Sequence, residues 1–130
     1  MNTSDSQHEK IIASINSAIA KIGAYEFIVY SYIDGVLEIV GSFDVPPYYL
    51  LENDCIAIEF QEVSYISLPT YYFSYPIFRL ATTSEILDVG KLVDIDSDNT
   101  VYCIEAATTA SIERLPFFLV AENISFQVKN

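Results

Sequence analysis

The sequence predicts a mainly β domain of the α+β class, an antiparallel sandwich or partly open barrel with one N-terminal helix. Ten Tyr and eight Phe, with Ile and Val throughout, favour strands over helices. Near the N-terminus, however, isoleucines recur at helical spacing. Turn signals divide the rest of the chain into roughly six to eight strands. A length of 130 residues fits one domain, residues 1–130.

The N-terminal helix is predicted over residues 7–22. The run from Ser6 to Glu9 has the form of a capping box, and Gly23 is a typical helix stop. One face carries Ile11, Ile12, Ile15, Ile19 and Ile22. The residues expected toward solvent are Lys10, Asn16, Ser17 and Lys21.

Residues 25–43 are predicted to form a β-hairpin. Asp34-Gly35 is a favoured two-residue turn, because a type I′ turn needs positive φ at both positions. If Ile33 pairs with Val36, the core face carries Ile28, Tyr30, Tyr32, Leu37, Ile39 and Phe43.

Further strands are predicted over 55–60, 63–68, 77–81, 91–95, 101–106 and 117–128. The first two are one strand broken at Gln61-Glu62, and the last is bent near Glu122-Asn123. Residues 85–92 have a short helix as their alternative.

Charge is the strongest compositional signal. Eighteen acidic against six basic residues give a net charge of −12. Such a field repels nucleic acid and anionic membranes and attracts basic proteins or cations. The alternative is that acidity only keeps an apolar chain soluble.

The location is predicted to be cytoplasmic. No apolar run reaches the roughly 20 residues of a membrane helix, and residues 1–10 lack the apolar stretch of a signal peptide. Cys55 and Cys103 are then expected to be reduced, buried thiols.

No catalytic residue, cofactor or phosphate-binding motif is predicted. His8 is the only histidine, and no Ser or Cys that it could activate lies near it in sequence. It is expected to be exposed in the first helical turn. The sequence therefore favours a non-enzymatic protein, although carboxylate pairs can catalyse without any motif.

One segment matches a calcium loop in part. Asp94, Asp96, Asp98 and Glu105 have the spacing of calcium ligands, whereas Asn99 stands where glycine is expected. The favoured alternative is a hairpin of 91–95 with 101–106, so no metal is assigned.

Tyrosines crowd the segment after the middle of the chain. Tyrosine provides a large contact area and a hydroxyl for hydrogen bonds. The residues predicted to bind a partner are Tyr65, Tyr71, Tyr72 and Tyr75. The alternative is that they are ordinary sheet aromatics.

The stretches 36–44 and 58–69 resemble small uncharacterised bacterial β-rich proteins, some of which are similar to polymorphic-toxin immunity proteins. The resemblance covers about the middle third of the chain and implies a small binding protein. The leading hypothesis is thus an acidic binding protein, immunity- or inhibitor-like, whose partner is a basic protein. The alternative is a small-molecule or carbohydrate-binding β domain, including a carboxylate-based enzyme.

Overall fold

The described part of the molecule consists mainly of one antiparallel sheet with a long helix packed against it. The computed structural model describes residues 3–42, 55–68, 72–108 and 111–129. In these ranges eight strands form a single sheet that is not closed into a barrel. The predicted fold class, mainly antiparallel β with an N-terminal helix, is confirmed.

The elements follow one another as α1 (Thr3–Ile22), β1 (Glu26–Ile33), β2 (Val36–Ser42), β3 (Cys55–Gln61), β4 (Tyr65–Ser67), β5 (Tyr72–Leu80), α2 (Thr83–Gly90), β6 (Thr100–Thr108), β7 (Ser111–Ala121) and β8 (Asn123–Lys129). Across the sheet the order is β4-β7-β6-β5-β1-β2-β3-β8. No helix in the described ranges is long and apolar enough to cross a membrane.

Helix α1 buries Ile12, Ile15 and Ile19 against the sheet. It ends at Gly23, whose φ of 72° suits the left-handed residue after a helix. Its start differs from the prediction: Ser6 lies inside the helix rather than at its N-cap. Asn16, predicted to face solvent, instead binds the backbone of β5.

The β1–β2 hairpin has the predicted turn. Asp34 and Gly35 have φ of 52° and 77°, both positive as a type I′ turn requires, and Ile33 pairs with Val36. The predicted core face is only half right, because a bulge lies between Val29 and Ser31. The bulge reverses the alternation of faces.

As a result, Ile28 lies on the face opposite α1, and Phe27 takes its place in the core beside Leu37 and Ile39. Tyr30 and Tyr32, also predicted to face the core, are 42% and 51% exposed. The prediction for Phe43 lies outside the described residues.

Two long runs of chain bend together at one end of the sheet. The predicted break after β3 falls at Glu62, with φ of 54°, and the predicted bend falls at Glu122, between β7 and β8. Backbone hydrogen bonds join the bends to each other and to the hairpin turn: the Glu122 N–H donates to Gln61 and the Val63 N–H to Gly35.

The strand predicted over 91–95 is wrong, and its helical alternative is correct. Helix α2 begins at a capping box, in which Thr82 and Glu85 exchange hydrogen bonds of 3.2 and 2.8 Å. Residues 91–99 then return to β6 through turns. Helix α2 covers part of the face opposite α1, where Val89 packs on Val101 and Val120.

Candidate functional site

The tyrosines predicted to bind a partner do not lie together on the sheet. Tyr65 on β4 and Tyr72 on β5 are both partly buried, each in a different apolar cluster. Because β7 and β6 lie between their strands, the backbones of β4 and β5 are three strand spacings apart, about 14 Å. Burial and the neighbouring Glu26 raise the pKa of Tyr72 to about 12. Tyr71 lies outside the described residues.

Tyr75 is more accessible, at 54% exposure. Its ring stacks on Tyr25 with centroids 5.4 Å apart, and its carbonyl accepts a hydrogen bond from Arg114. Its φ of 51° places it in the irregular part of β5. A basic side chain therefore already lies against this tyrosine.

The residues of the calcium-like segment are divided between a loop and a strand. Asp94, Asp96 and Asp98 are exposed in the loop before β6, where Asp96 and Asn99 close a turn through two hydrogen bonds of 3.0 Å. Glu105 lies on β6 and pairs with Arg79 at 3.0 Å. In the described ranges no three His, Cys, Asp or Glu side chains are grouped to hold a metal ion.

His8 is buried rather than exposed, with 8% of its surface accessible. Its ring stands nearly perpendicular to that of Tyr102 at a centroid distance of 5.9 Å, and its Nδ1 lies 3.4 Å from the Thr100 hydroxyl. The Tyr102 hydroxyl is buried without a hydrogen-bond partner of good geometry among the described residues. Burial raises the pKa of Tyr102 above its ordinary value, and the Thr100 side chain opposes this rise.

Arg79 forms ion pairs with two acidic side chains on the face of the sheet opposite α1. Its guanidinium binds both Glu85 carboxylate oxygens, at 2.7 and 2.9 Å, and also contacts Glu105. The pairing lowers the pKa of Glu85 to about 2. Beside them, burial raises the pKa of the Cys103 thiol to about 11. This thiol stays protonated near neutral pH, so these residues form a structural network rather than an activated nucleophile.

A different surface, at the end of the β1–β2 hairpin, combines apolar and acidic side chains. Ser31 pairs with Glu38, and Tyr30 is the extra residue of the bulge before it. Since two residues of a bulged strand oppose one residue of the partner, Tyr30 shares the side of the sheet that carries Glu38. Ile33, 67% exposed, lies on this side next to the turn. We define the acidic hairpin surface as Tyr30, Ile33, Asp34, Glu38, Glu59 and Glu62.

Within this surface two carboxylates stand directly opposite each other. Glu38 on β2 pairs with Glu59 on β3, which places their Cβ atoms about 5 Å apart. Gln61 donates a hydrogen bond to Glu59 at 2.9 Å and another to Ser125 at 3.0 Å. A neutral amide thus takes the place that a basic side chain would need to occupy to neutralise the pair.

The chain around the acidic hairpin surface carries no positive charge. Residues 22–78 contain no Lys or Arg. The same stretch contains eight acids, Glu26, Asp34, Glu38, Asp44, Glu52, Asp54, Glu59 and Glu62. Five of these acids, Glu26, Asp34, Glu38, Glu59 and Glu62, lie in or directly beside β1, β2 and β3, and these three strands contain no Lys or Arg.

An open cavity of about 320 Å³ adjoins the two carboxylates. Its walls are Glu38, Glu59, Ala57, Ser125, Phe126 and Gln127. The cavity follows the row in which β2, β3 and β8 are paired. It exposes the two carboxylates to a cationic group from outside.

Comparisons with protein-family models, with curated proteins and with solved structures found no match for this chain. The site is therefore interpreted from its own geometry.

Sequence reasoning missed Tyr30 because it assigned this residue to the core, and no local signal marks the bulge that turns it outward. The absence of bases from residues 22–78 was readable and points to the same region.

Proposed function

We propose that this protein is a non-enzymatic, immunity- or inhibitor-like binding protein, and that its acidic hairpin surface binds a basic protein partner. The observation that carries the proposal is the position of exposed Tyr30 and Ile33 beside the opposed Glu38–Glu59 pair. Aromatic and aliphatic side chains exclude water and slow dissociation, whereas carboxylates speed encounter with a positive surface.

The uncompensated pair also supports the proposal. Like charges directly opposite each other on neighbouring strands are destabilising. A Lys or Arg from a partner would neutralise both carboxylates at once, so that binding relieves a repulsion present in the free protein. Residues at functional sites commonly lower stability in this way.

The test begins with the product of the adjacent gene, because the resemblance to immunity proteins implies a neighbouring toxin. Binding kinetics are measured for the wild type, for Tyr30→Ala and for the double variant E38Q/E59Q. We expect Tyr30→Ala to raise the dissociation rate and E38Q/E59Q to slow association. The association rate of the wild type should fall as salt rises from 20 to about 200 mM, where screening shortens the range of the field.

The chain offers two matched controls. Tyr32 is an exposed neighbour that pairs with Leu37 and therefore projects to the other side of the sheet. Glu113 is an exposed acid at the far end of β7. Tyr32→Ala and Glu113→Gln should leave both rates unchanged. A partner with an acidic surface, or equal losses in controls and test variants, would contradict the proposal.

A second candidate, a small-molecule or carbohydrate site, is favoured by one observation, the cavity beside Glu38 and Glu59. A variant of Gln127 distinguishes the two proposed functions, because this residue lines the cavity but is not part of the acidic hairpin surface. Under the leading proposal, Gln127→Ala preserves binding of the basic protein, and a panel of neutral saccharides produces no chemical-shift changes at these residues.

A further inference from the structure

A second apolar surface lies at α2, away from the residues of the proposed function. Three large aliphatic side chains are exposed there, Ile86 at 39%, Leu87 at 65% and Leu92 at 69%. Ile86 and Leu87 line an open cavity of about 650 Å³ that extends to Val93 and Ile95, and Leu92 is exposed between Lys91 and Val93, which also line it. We call this feature the α2 groove. Clustered exposed aliphatic side chains of this kind typically mark an interaction site.

The α2 groove is anchored to the sheet by the apolar residues on its inner side. Val89, Val93 and Ile95 pack on the sheet in one cluster with Val101 and Val120. The helix is fixed at its start by the Thr82–Glu85 capping box and by the pair between Glu85 and Arg79. At its end, the Leu92 and Val93 N–H groups both donate to the Val89 carbonyl. A preformed groove lowers the conformational cost of binding.

The charges at the groove are mainly negative. Asp88 and Asp94 line it together with Lys91, and the Lys91 Nζ lies 3.5 Å from Asp88. That contact offsets the charge of Asp88. The remaining negative charges are those of Asp94 and, further along the same exposed loop, Asp96 and Asp98. Hence a ligand that fits this groove is apolar on one side and positively charged beside it.

We propose that the α2 groove docks a cationic amphipathic helix of another protein. Residues three and four apart on such a helix present a row of apolar anchors, which Ile86 and Leu87 in the cavity and the exposed Leu92 beside it can contact. Its Lys and Arg side chains reach the aspartates of the 94–98 loop. A second copy of this chain is a poor occupant, because it brings the same acidic rim and a net charge of −12.

The test uses a designed 14-residue amphipathic helix of Leu and Lys as the probe, titrated into ¹⁵N-labelled protein. A peptide with Glu in place of each Lys is its matched control. We expect chemical-shift changes concentrated in residues 84–98 with the Lys peptide and none with the Glu peptide. The double variant L87S/L92S should weaken binding at least tenfold, and the triple variant D94N/D96N/D98N by a similar factor.

The exposure of Leu87 and Leu92 means that their replacement should leave the fold intact, which dispersed amide signals would verify. Ile33→Ser, in the acidic hairpin surface, is the control variant and should bind the probe like the wild type. Shift changes centred on the hairpin, equal binding of the Glu peptide, unaltered affinity in L87S/L92S, or self-association through the groove would overturn the proposal. Loss of partner binding in E38Q/E59Q leaves this result unaffected, so the two proposals fail separately.

Discussion

The side-chain amide of Asn16 on α1 forms two hydrogen bonds with the backbone of Phe78 on β5. Its Nδ2 donates to the Phe78 carbonyl at 2.8 Å, and the Phe78 N–H donates to its Oδ1 at 3.0 Å. One amide thus supplies the donor and the acceptor that a neighbouring strand would supply. Only the first residues of β5 pair with β1, so Asn16 ties the helix to the part of β5 beyond that pairing.

Replacing Asn16 by Ala should lower the free energy of unfolding by about 2–4 kcal/mol. Phe78 is almost fully buried, and each buried backbone group left without a partner costs about 1–3 kcal/mol. Urea unfolding of N16A measures the loss. Ser17→Ala, at the exposed neighbouring position, should change stability by less than about 0.5 kcal/mol. Equal effects of the two variants would show that the amide is dispensable.

The parts of the fold that could be predicted from the sequence are those set by neighbouring residues. Helix α1 follows from the spacing of its isoleucines, and the hairpin turn follows from Asp34-Gly35. Both signals act within a few residues, where steric limits and side-chain periodicity dominate. The breaks at Glu62 and Glu122 were likewise readable from interruptions of the apolar pattern.

The parts that were missed depend on distant contacts or on competing local signals. Residues 27–29 are apolar on both faces of β1, so no polar alternation marks the bulge that turns Tyr30 outward. Asn16 looks like a solvent residue until Phe78, 62 positions away, is placed beside it. Val93, Asp94 and Ile95 alternate between apolar and polar like a strand, yet the Thr82–Glu85 capping box begins a helix just before them.

A methyl group at Gly41 should destabilise the core. The Cβ of an alanine there would overlap the ring of Phe27, which is fully buried and stacked on Phe73. Forcing extra volume into a packed core costs about 1–3 kcal/mol. We expect G41A to lower the free energy of unfolding by this amount in urea titrations.

A double-mutant cycle that removes the ring of Phe27 tests whether this clash causes the loss of stability. With Phe27→Leu the ring is absent, so adding G41A should cost less than it does in the wild type. Additive losses would place the effect of Gly41 elsewhere than at Phe27.

The Arg79–Glu85 pair should make stability depend on pH in the acidic range. Glu85 has a pKa of about 2 in the folded protein, against an ordinary value near 4.5. A lowered folded pKa means that the stabilisation is present above about pH 4.5 and is lost as the pH falls toward 2. Because the pair is partly exposed to solvent, we expect a contribution of only about 1 kcal/mol.

The measurement is urea unfolding of the wild type and of Glu85→Gln at several pH values from 2 to 6. The difference between the two proteins should be largest at pH 6 and should shrink toward pH 2. Glu113→Gln, at an exposed position on β7, provides the background. A difference that stays constant with pH would contradict the assigned role of the ion pair.

Millimolar calcium should leave the melting temperature unchanged. Glu105 is engaged by Arg79 on β6, whereas Asp94, Asp96 and Asp98 lie in the loop before this strand. A site filled at ten times its dissociation constant would add about 1.4 kcal/mol of stability, which thermal unfolding detects. An upward shift that disappears in Asp94→Asn would show that these residues bind calcium after all.

Replacing Glu38 by Gln should stabilise the free protein while it weakens binding of the basic partner. Removing one of two carboxylates that face each other on β2 and β3 relieves a repulsion worth about 0.2–1 kcal/mol. The gain should be largest at low ionic strength, because salt screens the repulsion in the wild type.

Urea unfolding at 20 and 500 mM NaCl, followed by binding kinetics at the lower salt, measures both effects. Glu113→Gln removes one negative charge, as E38Q does, without touching the pair, and it should change neither stability nor binding. If E38Q instead destabilised the protein at both salt concentrations, Glu38 would be a structural residue of the sheet, and the acidic hairpin surface would lose the charge pair on which the proposed function depends.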